Sequence, residues 1–130
     1  YQTDYKILSS AGYINSFNEN KDNKILRVYE YIMNNFTRDV CLDEAALQAN
    51  MNPSAFSRYF KRIHKKTFTQ FLNEIKIGYA CKLLIEQKLN ISEICYKSGF
   101  NNVSNFNRQF KSLKKTTPTE YIKMYTSSSS

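Results

Sequence analysis

The chain has 130 residues, 42% of them apolar, and a net charge of +8. That apolar share can build a core and excludes a disordered chain, while no apolar run approaches the roughly 18 residues a membrane helix requires. The three cysteines, Cys41, Cys81 and Cys95, are odd in number, lack metal-ligand spacing and stand beside a single histidine; they are expected to be small buried apolar residues in a reducing compartment.

The elements follow in chain order. Residues 1–23 carry several Asn and Ser with Asp and Gly among them and read as a linker. Periodicity begins near Lys24, where Ile25, Val28, Tyr29 and Ile32 fall at i, i+3, i+4 and i+7 of a helix ending near Asn35. Asp43 is placed to cap a short helix to about Ala49, with Ala46, Leu47 and Met51 inward. Asn50 suits a left-handed turn position, because Asn tolerates positive φ. Asn52 and Pro53 then read as the cap and first position of a helix whose apolar face is Phe56, Tyr59, Phe60 and Ile63. A long helix is predicted from Thr69 to about Gln87, with Phe71, Leu72, Ile75, Tyr79, Leu83 and Leu84 as its apolar set and Gly78 as a weak point. Ser92 is placed to cap a second short helix through Ile94 and Cys95 to Lys97, which Gly99 stops. Residues 102–114 form the next helix, with Val103, Phe106, Phe110 and Leu113 inward. Pro118 opens a last helix through Tyr121, Ile122 and Tyr125, and residues 126–130 are expected to be a disordered tail. There is no strand alternation, so the fold class is all-α, with about seven helices.

The charge is unevenly placed. Residues 53–66 hold Arg58, Lys61, Arg62, Lys65 and Lys66 and no acid; residues 102–117 hold Arg108, Lys111, Lys114 and Lys115 and no acid. A general solvated surface mixes its signs, whereas two one-sign blocks point to two contacts with a polyanion. The blocks also belong to a repeat. Ala46 corresponds to Cys95 and Met51 to Phe100, 49 residues apart; Phe56 to Phe106, Arg58 to Arg108, Phe60 to Phe110, Lys61 to Lys111, Lys65 to Lys115 and Thr67 to Thr117, 50 apart. The second copy therefore carries one extra residue in its turn. A short helix, a turn at Asn or Gly, and a longer basic helix make a helix-turn-helix, here present twice: about 43–63 and about 92–114, joined by the helix of about 69–87.

These motifs resemble the DNA-binding domain of the AraC family of transcription regulators. The segment Gly99 to Lys111, GFNNVSNFNRQFK, carries the signature Gly-Phe, Phe106, Arg108 and Phe110-Lys111, and ANMNPSAFSRYFKR matches the first unit, as Pro118 with Tyr121 matches the end. The likeness covers about residues 24–125. It implies two lobes on a long helix, bound to double-stranded DNA as one unit, and a cytoplasmic bacterial regulator, an activator or a repressor, with RNA polymerase as a further partner. It also implies that residues 1–23 follow a sensing, effector-binding domain, often cupin-like in that group, which this stretch does not include. In two places the chain departs from the family: Lys65 and Lys115 stand where Gly usually follows each basic helix, and Ile122 stands where Arg often follows Tyr121.

The candidate DNA contacts follow from the basic helices. Arg58 and Arg108 are off the apolar face and suit a bidentate contact to guanine; Ser54, Ser57, Ser104, Asn105 and Asn107 lie near the helix starts, where they can reach base edges. Lys61, Arg62, Lys65, Lys66, Lys111, Lys114 and Lys115 are assigned to phosphates. Phe56, Phe60, Phe106 and Phe110 have core spacing rather than the placement of base-stacking groups. His64, with no nucleophile or carboxylate at a telling spacing, is expected to be a partly exposed surface residue. With no phosphate loop, metal cluster or paired carboxylates, neither an enzyme nor a cofactor is expected. The joining helix, about 28 Å long at 1.5 Å per residue, is on the scale of successive major grooves, about 34–36 Å apart. The rival reading is a helical RNA-binding or protein-interaction module. RNA's narrow major groove would not admit these helices.

Overall fold

The structure, a computed structural model, describes residues 23–127. Among them are seven helices and no strand: α1 (Asn23–Asn35), α2 (Leu42–Gln48), α3 (Pro53–His64), α4 (Phe68–Glu86), α5 (Ile91–Lys97), α6 (Val103–Lys114) and α7 (Pro118–Ser127). Of the expected linker, Asn23 already belongs to α1 and the rest lies outside the described residues. Of the expected tail, Thr126 and Ser127 close α7, and residues 128–130 lie outside.

The chain divides into two compact units. The first holds α1, α2, α3 and the start of α4 as far as Leu72; the second holds α4 from Asn73 with α5, α6 and α7. In the first, α1 buries the expected stripe Ile25, Val28, Tyr29 and Ile32. The short α2 turns Ala45, Ala46 and Ala49 inward, while Leu47 is 71% exposed and Met51 half-buried. Leu47 was expected inside; alanines take that side instead, their small size letting the helix sit close to its neighbours. Phe56 and Phe60 are fully buried, and Phe60 meets Phe68 and Phe71 edge-on at ring separations of 5.5 and 5.1 Å.

The second unit is cored by Ile77, Ala80, Cys81, Leu83 and Leu84 of α4 with Ile94, Cys95, Phe100, Phe106 and Phe110. Phe110 meets Tyr121 of α7 edge-on at 5.4 Å. Leu113, expected inside, is 37% exposed, and Tyr125 is exposed as well. A helix that supplies two cores has no single apolar stripe, which is why Ile77 and Ala80 of α4 fall outside the set read from periodicity. Of the cysteines, Cys81 and Cys95 are buried as expected; Cys41 is exposed.

Two expected caps lie elsewhere. The residue before α2 is Cys41, with no side-chain cap, and Asp43 sits in the first turn, where its charge favours the helix dipole. The residue before α5 is Asn90, not Ser92. Its Oδ1 accepts from Glu93 N–H at 2.8 Å, and Glu93 Oε1 accepts from Asn90 N–H at 2.9 Å. This reciprocal pair satisfies two donors that Ser92, already inside the helix, could not.

Candidate nucleic-acid interface

Each unit places its basic helix through the same chain of local events. Asn50 has φ 54° and Gly99 φ 101°, the left-handed region that Asn and Gly tolerate best. The chain then folds back so that Met51 N–H reaches Ala46 O and Phe100 N–H reaches Cys95 O, each at 3.1 Å. These are the same two residue pairs that the repeat aligned, and the bond is the six-to-one closure of a Schellman helix end. Next, Asn52 Oδ1 accepts from Ala55 N–H at 2.9 Å and Asn102 Oδ1 from Asn105 N–H at 2.8 Å, starting α3 and α6. The extra residue of the second turn is Asn101, which separates Phe100 from its cap.

Both helices end alike. Lys65 and Lys115 have φ of 60° and 64°, and each donates its N–H to the carbonyl four residues back, Lys61 or Lys111, at 2.8 Å. Lysine thus occupies the left-handed terminal position that glycine takes more cheaply. Thr67 with Gln70 and Thr117 with Glu120 then form reciprocal caps that start α4 and α7. The Glu120 carboxyl is held below its ordinary range, chiefly by the Thr117 N–H it accepts from and then by the Thr116 and Thr117 hydroxyls.

On α3, Ser54, Arg58, Lys61 and Arg62 are exposed and Ser57 is half-buried; helical spacing puts Ser54, Ser57, Arg58 and Lys61 on one face. Arg62 lies beside them, its guanidinium 5.7 Å from the centre of the Tyr59 ring. On α6, Ser104, Asn107, Arg108 and Lys111 are exposed on the equivalent face, and Lys114, four residues after Phe110, is exposed at its edge. Asn105 is half-buried at the flank of that face, and its Oδ1 accepts from Arg108 Nη2 at 2.6 Å. Lys65 and Lys115 are exposed just past the helix ends and Lys66 is half-buried. Each unit thus brings its own set together on one helix. Beside α6 lies a cleft of about 630 Å³, lined by its Asn107, Arg108, Lys111 and Ser112 together with Ile91 and Thr117 to Thr119. The basic residues of the last turns, Lys61 and Arg62 on α3 and Lys111 and Lys114 on α6, also favour the negative helix ends.

Three side chains that steady this arrangement were not read from the sequence, or were read otherwise. His64, expected on the surface, is 9% exposed: its Nε2 lies 2.7 Å from the Tyr29 hydroxyl, and its ring packs against Phe60 and Phe71 at 4.3 and 4.6 Å. It stands four residues after Phe60, so it continues the apolar stripe of α3. Lys76 is buried in the second unit, donates from Nζ to Gly99 O at 2.8 Å and stands 5.5 Å from the Phe100 ring. Burial draws its pKa below the ordinary lysine value, and the Asp39 carboxylate acts in the opposite sense. In the first unit Arg27 Nε donates to Gln48 O at 2.8 Å. Arg27 and Lys76 are 49 residues apart, the spacing that relates Ala46 to Cys95. Both units therefore contain the same three-helix repeat, with a cation from its first helix bonded to a carbonyl at or just past the end of the short one.

Known proteins show the same pattern. Residues 45–124 match the family described as a helix-turn-helix domain. An uncharacterized HTH-type transcriptional regulator of Bacillus subtilis, YdeC, is 28% identical over 104 residues, covering 80% of this chain and 36% of that protein. Across the first curated relatives the chain spans only about a third to just over a half of their length. Among solved structures, the C-terminal domain of AraT, a response regulator from Geobacillus stearothermophilus, aligns with a TM-score of 0.72 at 27% identity, covering 78% of this chain and 84% of that one. A DNA-binding transcriptional dual regulator from Escherichia coli K-12 aligns with a TM-score of 0.66 at 28% identity, covering 75% and 87%. With two helix-turn-helix units of matching build, this chain belongs to the helix-turn-helix domain family, in its AraC-type form.

Proposed function

We propose that the chain regulates transcription by binding double-stranded DNA, with α3 and α6 each entering a major groove and the two grooves successive along the duplex. The observation that carries this reading is the duplicated turn: the same αL residue, Schellman closure and Asn cap start a helix whose outer face is basic, twice. Ser54, Ser57, Arg58, Ser104, Asn107 and Arg108 then face base edges, with Asn105 beside Arg108 at their flank, and Lys61, Arg62, Lys65, Lys66, Lys111, Lys114 and Lys115 hold phosphates. The whole protein would carry an effector-binding domain before residues 1–23, act in the cytoplasm as an activator and touch RNA polymerase; its chemistry is binding rather than catalysis.

Because phosphate contacts release counterions, affinity should fall steeply with salt. With about five to eight phosphates neutralised, log K against log salt should slope between about −4 and −7. Titration of a duplex across a salt series measures this, with duplex RNA as competitor. A slope shallower than about −2, or equal competition by RNA, defeats the proposal.

A further inference from the structure

The two basic helices differ at one position that bears directly on their arginines. Arg108 Nη2 donates to Asn105 Oδ1 at 2.6 Å, one helical turn back. At the equivalent place in the first unit, three residues before Arg58, stands Ala55, whose side chain has no acceptor; among the described residues the Arg58 guanidinium makes no hydrogen bond. Asn105 is half-buried at the flank of α6, its backbone N–H already tied to the Asn102 cap. Its side-chain oxygen is already engaged by Arg108, which places it to hold its neighbour.

We infer that Asn105 is a positioning residue for Arg108, so that the second recognition helix presents a pre-set guanidinium and the first an unrestrained one. The inference rests on the DNA-reading function proposed above. A guanidinium carries five N–H donors in a planar fork. The bond to Asn105 uses one Nη2 hydrogen, which leaves one two-donor edge of the fork available for the paired acceptors of guanine. Arginine is rich in rotamers, and ordering such a side chain is a cost of binding. Asn105 meets part of that cost before DNA arrives, so base discrimination should be sharper under α6 than under α3.

The test uses the full chain and a duplex site selected by the parent protein from a random pool. Affinities for all single-base variants of that site are measured for the parent, Asn105→Ala, Asn105→Asp, Arg108→Ala, the Asn105→Ala/Arg108→Ala double variant, Arg58→Ala and Ala55→Asn. Asn105→Ala should lower discrimination about two- to tenfold, the factor for ordering one such side chain, at the same base pair that Arg108→Ala flattens. It should leave other positions unchanged, and the double variant should match Arg108→Ala alone. Asn105→Asp keeps the acceptor and should retain the preference while affinity falls evenly. Ala55→Asn should sharpen discrimination by a similar factor at the base pair that Arg58→Ala flattens. Loss at a base pair that Arg108→Ala leaves intact, additive effects in the double variant, or no gain from Ala55→Asn overturns the inference. Failure of the parent to select any site overturns instead the DNA-reading proposal.

Discussion

The two units build one turn from different parts. In the first, Ala49 packs beneath the turn and Asn50 takes the positive φ; in the second, Ser98 and Gly99 hold those places, and Lys76 reaches in to bond Gly99 O. At the far end of the basic helix the difference is larger. His64 is buried against Phe60 and bonded to Tyr29, whereas its counterpart 50 residues on, Lys114, is exposed. What stays alike is the backbone: the αL residue, the Schellman closure, the Asn cap and the αL lysine. Backbone geometry admits few residue types, core filling admits several, and an outer face admits any that its ligand requires. The comparison therefore sets a shared backbone against outer faces that differ, with Ala55 at the flank of one and Asn105 at the flank of the other.

The largest expected effects test the shared part. Phe60 and Phe110 are fully buried at equivalent positions. Truncating either to Ala should cost about 3–5 kcal/mol of stability, read by denaturant unfolding, and DNA binding should fall only as a unit unfolds. A variant as stable as the parent yet deficient in binding would place the ring on DNA and break the core reading.

Next come the arginines. Replacing Arg58 and Arg108 separately with Ala should relax preference at different base pairs, by about 1–3 kcal/mol wherever a bidentate guanine contact is lost. Binding profiles over single-base variants decide this. Both variants altering one base pair, or affinity falling evenly over all sequences, would mean that the units do not read separately.

Much of this frame is legible in the sequence because its signals are local. Asn52 with Pro53, the αL residues and the phenylalanine spacing all act within one helical turn, and the repeat aligned the residues that close both Schellman turns. The misses arose where one signal was allowed to outweigh another. Leu47 is the larger apolar residue of its helix, but the smaller Ala45, Ala46 and Ala49 allow closer packing. Ser92 has a side chain that could cap, but Asn90 and Glu93 stand at capping-box spacing. His64 has no catalytic partner at a telling spacing, but it lies on the stripe of Phe56 and Phe60. Lys76 depends on a partner 23 residues away, a contact that no local pattern reports; its 49-residue spacing from Arg27 was the available clue.

A smaller effect tests the turn itself. Ser98 is fully buried, and its Oγ has no hydrogen-bond partner among the described residues. A buried hydroxyl without a partner costs on the order of 1 kcal/mol. Ser98→Ala, which installs the first unit's residue, should therefore raise stability by about 1 kcal/mol, and the reciprocal Ala49→Ser should lower it by a similar amount. Thermal melts of the two variants check both. A destabilised Ser98→Ala would show that the hydroxyl is satisfied and that the two turns differ in polarity for a reason.

The smallest expected effect separates two roles of one residue. Lys65 and Lys115 hold αL positions at the ends of α3 and α6. For a residue with a Cβ that conformation costs about 1 kcal/mol, which glycine avoids. Glycine is also freer in the unfolded chain and gives back about half of the gain, so Lys65→Gly or Lys115→Gly should stabilise by only about 0.5 kcal/mol. Each also removes a positive charge beside a basic helix. If that charge sits on a phosphate, the salt slope should become shallower by about 0.9 per variant while the melting temperature rises. Stability and affinity would then move in opposite directions, which a general loss of structure cannot do. A rise in stability with an unchanged slope would make the lysine a helix terminus and nothing more. A slope that changes for Lys65→Gly but not for Lys115→Gly would show that the two units, alike in backbone to the last residue of each basic helix, hold the DNA strand differently.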